Sequence, residues 1–264
     1  MRRVNASKAL HGARFAFGTL TVFPARITRW DRAAARAGMT LAPLAGLAVG
    51  LCAAAAGAGC WALGSGASLA AVVATAVPAV LTRGLHLDGL ADVADGLGSA
   101  KPADDALRIM KRSDIGPFGV VTLLFCLLAQ VAALAHLFEQ DGWARGTAAV
   151  VVSALTARTS LTLASRRGVP AARPDGLGAV VAGTVPIRRA LAVAALVTAA
   201  CAGAGWVFGP WPALHWALAV AAGLAVAQAL LHRCVRRFGG VTGDVFGAVA
   251  EASATVTLLA LALG

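Results

Sequence analysis

Apolar stretches long enough to cross a bilayer recur along this chain, and the connections between them alternate between strongly basic and free of base. A spanning helix needs roughly 17 to 25 apolar residues. Windows near that length fall at 41–63, 67–82, 117–137, 143–164, 190–209, 211–231 and 245–263. The second is short and the last holds an acid, so the expected number of spans is about seven. Lys and Arg number eight in residues 1–40, five in 83–116, five in 165–189 and three in 232–244, together 21 of the 23 in the chain. The connections near Ser65, at 139–142 and near Pro210 carry none. The positive-inside rule requires that alternation of a correctly counted bundle. It predicts an all-α polytopic membrane bundle, one integral domain over 1–264, with a cytoplasmic N-terminus and, for an odd count, an external C-terminus.

Composition points the same way. Hydrophobic residues make up 59% of the 264 and charged residues 13%, and there is no Tyr; the mean hydropathy is +0.77. These values lie far from those of a soluble domain. A net charge of +11 would suggest nucleic acid in a soluble protein, but here it is topological, so the expected partner is the bilayer and not nucleic acid. The basic N-terminus runs into a segment broken by Lys8, His11 and Arg14, which does not read as a signal peptide. The pattern at 5–24, closed by Pro24, predicts an amphipathic helix on the inner leaflet or capping the bundle. Residues 102–112 predict a short helix with acids in its first turn and bases in its last. Trp143, Trp211 and Trp216 fall near span ends, where indoles favour the interface. Five cysteines without a CxxC pair predict neither a disulfide framework nor a zinc site. Gly46 and Gly50 form a GxxxG spacing, which carries little weight among 30 glycines.

Chemistry concentrates on the basic side, which holds nine of the twelve acids. His86-Leu-Asp88-Gly-Leu-Ala-Asp92-Val-Ala-Asp95-Gly96 follows the second apolar window. In a helix the steps of four and three put Asp88, Asp92 and Asp95 on one face. Hard oxygen donors clustered in this way suit Mg²⁺, which completes its shell with water and phosphate. Gly89 and Gly96 are expected to leave room for a bulky substrate. His86 is a candidate base, or a hydrogen-bonded structural residue at a helix end.

Two further clusters carry the chain into later spans. Lys111, Arg112 and Ser113, ahead of Gly116-Pro117-Phe118-Gly119, could contact phosphate at a helix entrance or simply anchor the inner face. Gly239, Gly240, Thr242, Gly243 and Asp244 form a backbone-rich turn, with Glu251 seven residues on and well inside the last window. A carboxylate there should meet a cation, and Arg158, alone in the fourth window, is the natural partner, for structure or for substrate. Asp175, in Arg173-Pro-Asp-Gly-Leu-Gly178, reads as a turn compatible with a phosphate or nucleotide contact.

At these residues the chain resembles the cobalamin synthase family, the adenosylcobinamide-GDP ribazoletransferases. Three motifs carry the resemblance: HLDGLADVADGLG at 86–98, IMKRSDIGPFG at 109–119 and GGVTGDVFGAVAE at 239–251. Phe17 to Pro24 and Arg173 to Gly178 add weaker matches. The family more often has Lys-Asp-Ser-Arg where this chain has Lys111-Arg112-Ser113-Asp114, so acid and base are transposed.

The resemblance implies transfer of the cobinamide phosphate of adenosylcobinamide-GDP to α-ribazole or its 5′-phosphate, with release of GMP. It implies Mg²⁺ held by Asp88, Asp92, Asp95 and Asp244, with Asp88, Asp92 or His86 in catalysis. Lys111, Ser113, Arg158, Asp175, Gly239, Gly240 and Thr242 are the implied substrate contacts. The implied setting is a bacterial inner membrane with the site facing the cytoplasm, compatible with a homo-oligomer. A CDP-alcohol phosphotransferase fits less well, because Asp92 stands where that frame has Arg and no GxxxDxxxD follows. A secondary transporter would place polar groups near the midplane in two matching halves, whereas these acids crowd one face.

Overall fold

The computed structural model describes residues 2–264. Eleven helices make up the fold: α1 (Arg2–Leu20), α2 (Arg32–Ala62), α3 (Gly66–Leu81), α4 (Leu85–Gly98), α5 (Ala103–Ile109), α6 (Pro117–Gln140), α7 (Gly142–Ala164), α8 (Gly176–Val181), α9 (Ile187–Trp206), α10 (Pro210–Phe238) and α11 (Gly243–Leu261). Among the described residues the only β pairing is two isolated bridges, Arg166 with Val185 and Ala171 with Val241.

Six of these helices, α2, α6, α7, α9, α10 and α11, are long and apolar enough to cross a membrane. The seventh candidate crossing is α3 and α4 taken together, a pair bent by 88°. The expected all-α bundle of about seven spans is what the chain forms, and each apolar window lies in its own helix. Two helices overrun their windows on the basic side. α2 starts nine residues early because Asp31 caps it, accepting from the N–H groups of Ala33 at 2.9 Å and Ala34 at 3.0 Å; α10 runs on to Phe238. α1 lies along the start of α2, where Gly12 meets Ala37 and Gly38 meets Phe15, so it caps the bundle.

The core is built on α7, whose second half is buried on every side. Its buried hydroxyls are satisfied without water: Thr156 donates to Val152 O at 2.7 Å, Thr159 to Leu155 O at 2.8 Å and Ser160 to Ala157 O at 2.6 Å. Thr162 instead donates across to Met39 O of α2 at 2.6 Å. Where no solvent is at hand, such internal pairing lets small polar residues serve as tight helix contacts. Gly46 and Gly50 lie directly against Ala154 of α7, so the GxxxG spacing is a true interface. Opposite, α6 presents Val121, Leu124, Phe125 and Leu128 outward, the side chains a lipid-facing helix requires. Trp143 and Trp211 are exposed as expected of interface indoles, but Trp216 is 5% exposed and stacks, tilted, on Phe208 at 5.5 Å. α10 brings it inward, so it is a core residue.

Candidate active site

The basic ends of the spans gather the polar motifs. At Arg83 and Gly84 the backbone takes positive φ, +56° and +69°, and this tight left-handed turn swings α4 off the end of α3. α4 then lies across the starts of α11 and α6. Gly89 packs on the backbone of Asp244, and Gly247 packs on that of His86. A Cβ at Gly89 would come within 2.6 Å of Asp244 O, and one at Gly247 within 2.9 Å of His86 O. Gly96 is filled by Met110 and Phe238. These glycines therefore seat α4 on its neighbours, and the expected room for substrate at Gly89 and Gly96 is taken by protein.

This crossing sets Asp88 and Asp92 beside Asp244. The carboxyl of Asp92 is half-buried and pushed up to about 7, first by burial, then by the charges of Asp244, Asp88 and Asp95, with Arg173 pulling the other way. Asp244 is held by Thr242, whose hydroxyl donates to it at 3.0 Å while accepting from Val245 N at 3.4 Å as the cap of α11. Asp95 points elsewhere. Its two oxygens accept from Gly116 N at 2.7 Å and Gly119 N at 2.9 Å. The three-acid face expected for one metal is thus split, because the entrance of α6 draws Asp95 to its unpaired amides.

Asp88 and Asp92 line an open groove of about 680 Å³, within the size range of small-molecule sites. Arg83, Arg112, Ser113 and Asp114 line the same groove, with Leu85, Ile115 and Leu123 as its apolar wall. Acids on α4 therefore share the groove with Arg83 of the preceding turn and with Arg112, Ser113 and Asp114 of the connection into α6.

Other expected residues flank the groove or lie away from it. Lys111 reaches Asp175 at 3.2 Å in an exposed pair, and this hydrogen bond is the main reason the Asp175 carboxyl falls below its ordinary range. Arg173 donates to Leu107 O. Arg32 and Arg36 of α2 tie the same connection down, donating to Ala179 O, Ala182 O and Thr184 O at 2.8 to 3.0 Å. Gly240 is pressed against Pro170, Ala171 and Ala172, and Gly239 closes α10 at φ +78°. Both are accounted for by the backbone, without a ligand. His86 is 2% exposed and turns inward, its Nδ1 3.5 Å from Arg158 Nη2. Arg158, 4% exposed, makes no salt bridge to Glu251 among the described residues. Glu251 instead accepts from Gln130 at 3.0 Å.

Among the described residues no three Asp, Glu, His or Cys side chains close around a metal-sized gap. Asp88, Asp92 and Asp244 nevertheless form a hard-oxygen donor set of the kind Mg²⁺ uses, since that ion keeps waters and takes the rest of its shell from substrate phosphate.

The profile of the cobalamin-5-phosphate synthase family matches residues 12–262. The chain belongs to that family. It is 46% identical to the adenosylcobinamide-GDP ribazoletransferase of Frankia casuarinae, over 95% of this chain and 94% of that protein. It is 39% identical to the Nocardioides enzyme of the same name, over 94% and 97%, and 35% identical to that of Desulforamulus reducens, over 95% and 96%. No solved structure matches. All of the sequence motifs that carried the family resemblance beyond α1 meet at this one end of the bundle. The transposition of acid and base at 112 and 114 loses its force in three dimensions, because both side chains line the same groove.

Sequence reasoning passed over Arg83 and Arg173. Arg173 stood in a quoted motif but looked like turn punctuation, and its charge becomes relevant only once the fold sets it near Asp92 and Asp244. Arg83 carried one local signal: a basic residue between an apolar window and an acidic helix, next to a glycine.

Proposed function

We propose that this membrane enzyme joins adenosylcobinamide-GDP to α-ribazole, or to α-ribazole 5′-phosphate, releasing GMP and completing the nucleotide loop of cobalamin. The observation that carries the reading is the groove in which Asp88 and Asp92 face Arg83, Arg112 and Ser113. A diphosphate brings negative charge that four groups here can meet: two carboxylates through a divalent cation, and two guanidinium groups directly.

In the reaction the ribose 3′-hydroxyl oxygen bonds to the cobinamide-side phosphorus, and the bond from that phosphorus to the bridging oxygen of GMP breaks. Asp92, or Asp88 beside it in the groove, is the candidate acceptor of the hydroxyl proton, since both carboxylates line the space a phosphate ester would fill. Arg112 and Arg83 neutralise the departing phosphate, with Ser113 donating to a phosphate oxygen. Asp88, Asp92 and Asp244 would hold Mg²⁺, which supplies charge neutralisation at the transferred phosphoryl group. Arg173, already near two of these acids, offsets their repulsion before substrate arrives. Lys111 can leave Asp175 for a phosphate at small cost, since exposed ion pairs are weak. The basic distribution of the loops supports a groove open to the cytoplasm of a bacterial inner membrane, where nucleotide is available.

The test is GMP release by purified protein in detergent, dependent on both substrates and on Mg²⁺. Asp88→Asn and Asp92→Asn should each abolish turnover while membrane insertion is unchanged. Full activity in both variants would remove the assignment of the site.

A further inference from the structure

Within the bundle, Thr75 of α3, Gln130 of α6, Ser153 and Arg158 of α7, and Glu251 of α11 line a small cavity of about 40 Å³. Its polar lining is unfinished. Among the described residues, Arg158 Nε and Thr75 Oγ1 have no hydrogen-bond partner, although both atoms are buried. Arg158 is 4% exposed and Gln130 7%. The Gln130 amide nitrogen is already engaged, donating to Glu251 at 3.0 Å and to Thr255 at 2.9 Å. The guanidinium and the carboxylate thus share one cavity without touching, an arrangement that is costly for two charges away from water.

The chemistry of the lining selects the occupant. A cation would be repelled by Arg158 and an anion by Glu251, whereas the pair together is neutral and favours a neutral polar ligand. An apolar chain would leave Arg158 Nε and Thr75 Oγ1 still unpaired. A cavity must offer about 10 to 15 Å³ for each water and two to four polar partners; this one has room for roughly three or four on that measure.

We propose that this cavity is a permanent hydration site, in which ordered water links Arg158, Thr75 and Glu251 into one hydrogen-bonded bridge across three helices. Arg158 also reaches His86 at 3.5 Å, so the bridge extends to α4 and makes Arg158 a positioning residue for the helix that carries the groove's acids. This site stands apart from the catalytic reading above and does not depend on it.

Radiolytic labelling in H₂¹⁸O of the unmodified protein in lipid nanodiscs tests the proposal, because side chains beside bound water oxidise even when buried. Leu134 and Leu258, which line the cavity, should incorporate ¹⁸O. Leu231 in dry core and Leu128 in the lipid face should not. Thr75→Val, which keeps the shape and removes the hydroxyl, should bring Leu134 and Leu258 down toward the level of Leu231. Equal labelling of all four leucines in the unmodified protein would overturn the proposal. So would a Thr75→Val protein that labels as before.

Discussion

The carboxylate of Asp95 on α4 accepts the backbone N–H of Gly116, at 2.7 Å, at the entrance of α6. An acid that reads in sequence as a metal ligand is in fact the cap of another helix, and it takes the Gly119 amide as well. Losing such a cap costs about 0.5 to 2 kcal/mol, and the buried Gly119 amide and the part-buried Gly116 amide would be left unpaired. Asp95→Ala should therefore lower the unfolding temperature in detergent, with Asp95→Asn falling between it and the parent. Neither change should alter the Mg²⁺ concentration that gives half-maximal turnover. A large rise in that concentration would return Asp95 to the metal site.

The same contact restricts α6. A Cβ at Gly119 would sit 2.6 Å from an Asp95 oxygen, closer than any relaxed contact, and the carboxylate is pinned between two amides. Gly119→Ala should destabilise the fold by about 1 to 3 kcal/mol, the usual range for overpacking. In the Asp95→Ala background the loss should shrink, because the obstructing atoms are gone. A double-mutant cycle on thermal or denaturant unfolding reads this coupling directly.

Asp92 gives the protein a pH signature. Its carboxyl titrates near 7 when folded against 3.8 for the free side chain, so the unfolded chain releases this proton first. Its stabilising contribution is complete below pH 4 and is lost as pH rises through about 7. A divalent ion bound there favours the ionised form and removes that penalty. The rise in unfolding temperature on adding Mg²⁺ should be larger at pH 8 than at pH 6, and Asp92→Asn should abolish the difference. A Mg²⁺ effect indifferent to pH would argue against Asp92 as a ligand.

Arg83 holds φ +56° at the turn before α4, a conformation that costs an ordinary residue about 1 to 2 kcal/mol. Strain of this kind persists where function requires the side chain. Arg83→Gly should keep or raise the unfolding temperature while lowering turnover, since it relieves the backbone and removes a groove cation. Unchanged activity would mark Arg83 as a turn residue alone.

The spans were legible because apolar length and alternating charge are one-dimensional signals, and each window became its own helix. The starts of α2 and the end of α10 were missed because a cap at Asp31 and the exposed turn through Arg236 and Arg237 prolong helices beyond their apolar parts. At the site, the spacing of Asp88 and Asp92 was enough to place them together. No local pattern could place Asp244 beside them, since that depends on Gly89 packing against Asp244 and Gly247 against His86, contacts between distant parts of the chain. His86 follows the structural alternative left open for it, whereas Asp95 went astray for a simple reason. Helical spacing tells which face a side chain leaves from, but not which neighbouring helix waits there.

The sharp corner between α3 and α4 has a consequence for the lipid itself. α3 has 16 residues, about 24 Å of helix at 1.5 Å per residue, against a hydrocarbon layer near 30 Å. Thinning of the adjacent leaflet is one general response to a helix this short. Arg83, just past the end of α3, lines the groove, so a bilayer thinned there would bring headgroups and water to the level of its carboxylates.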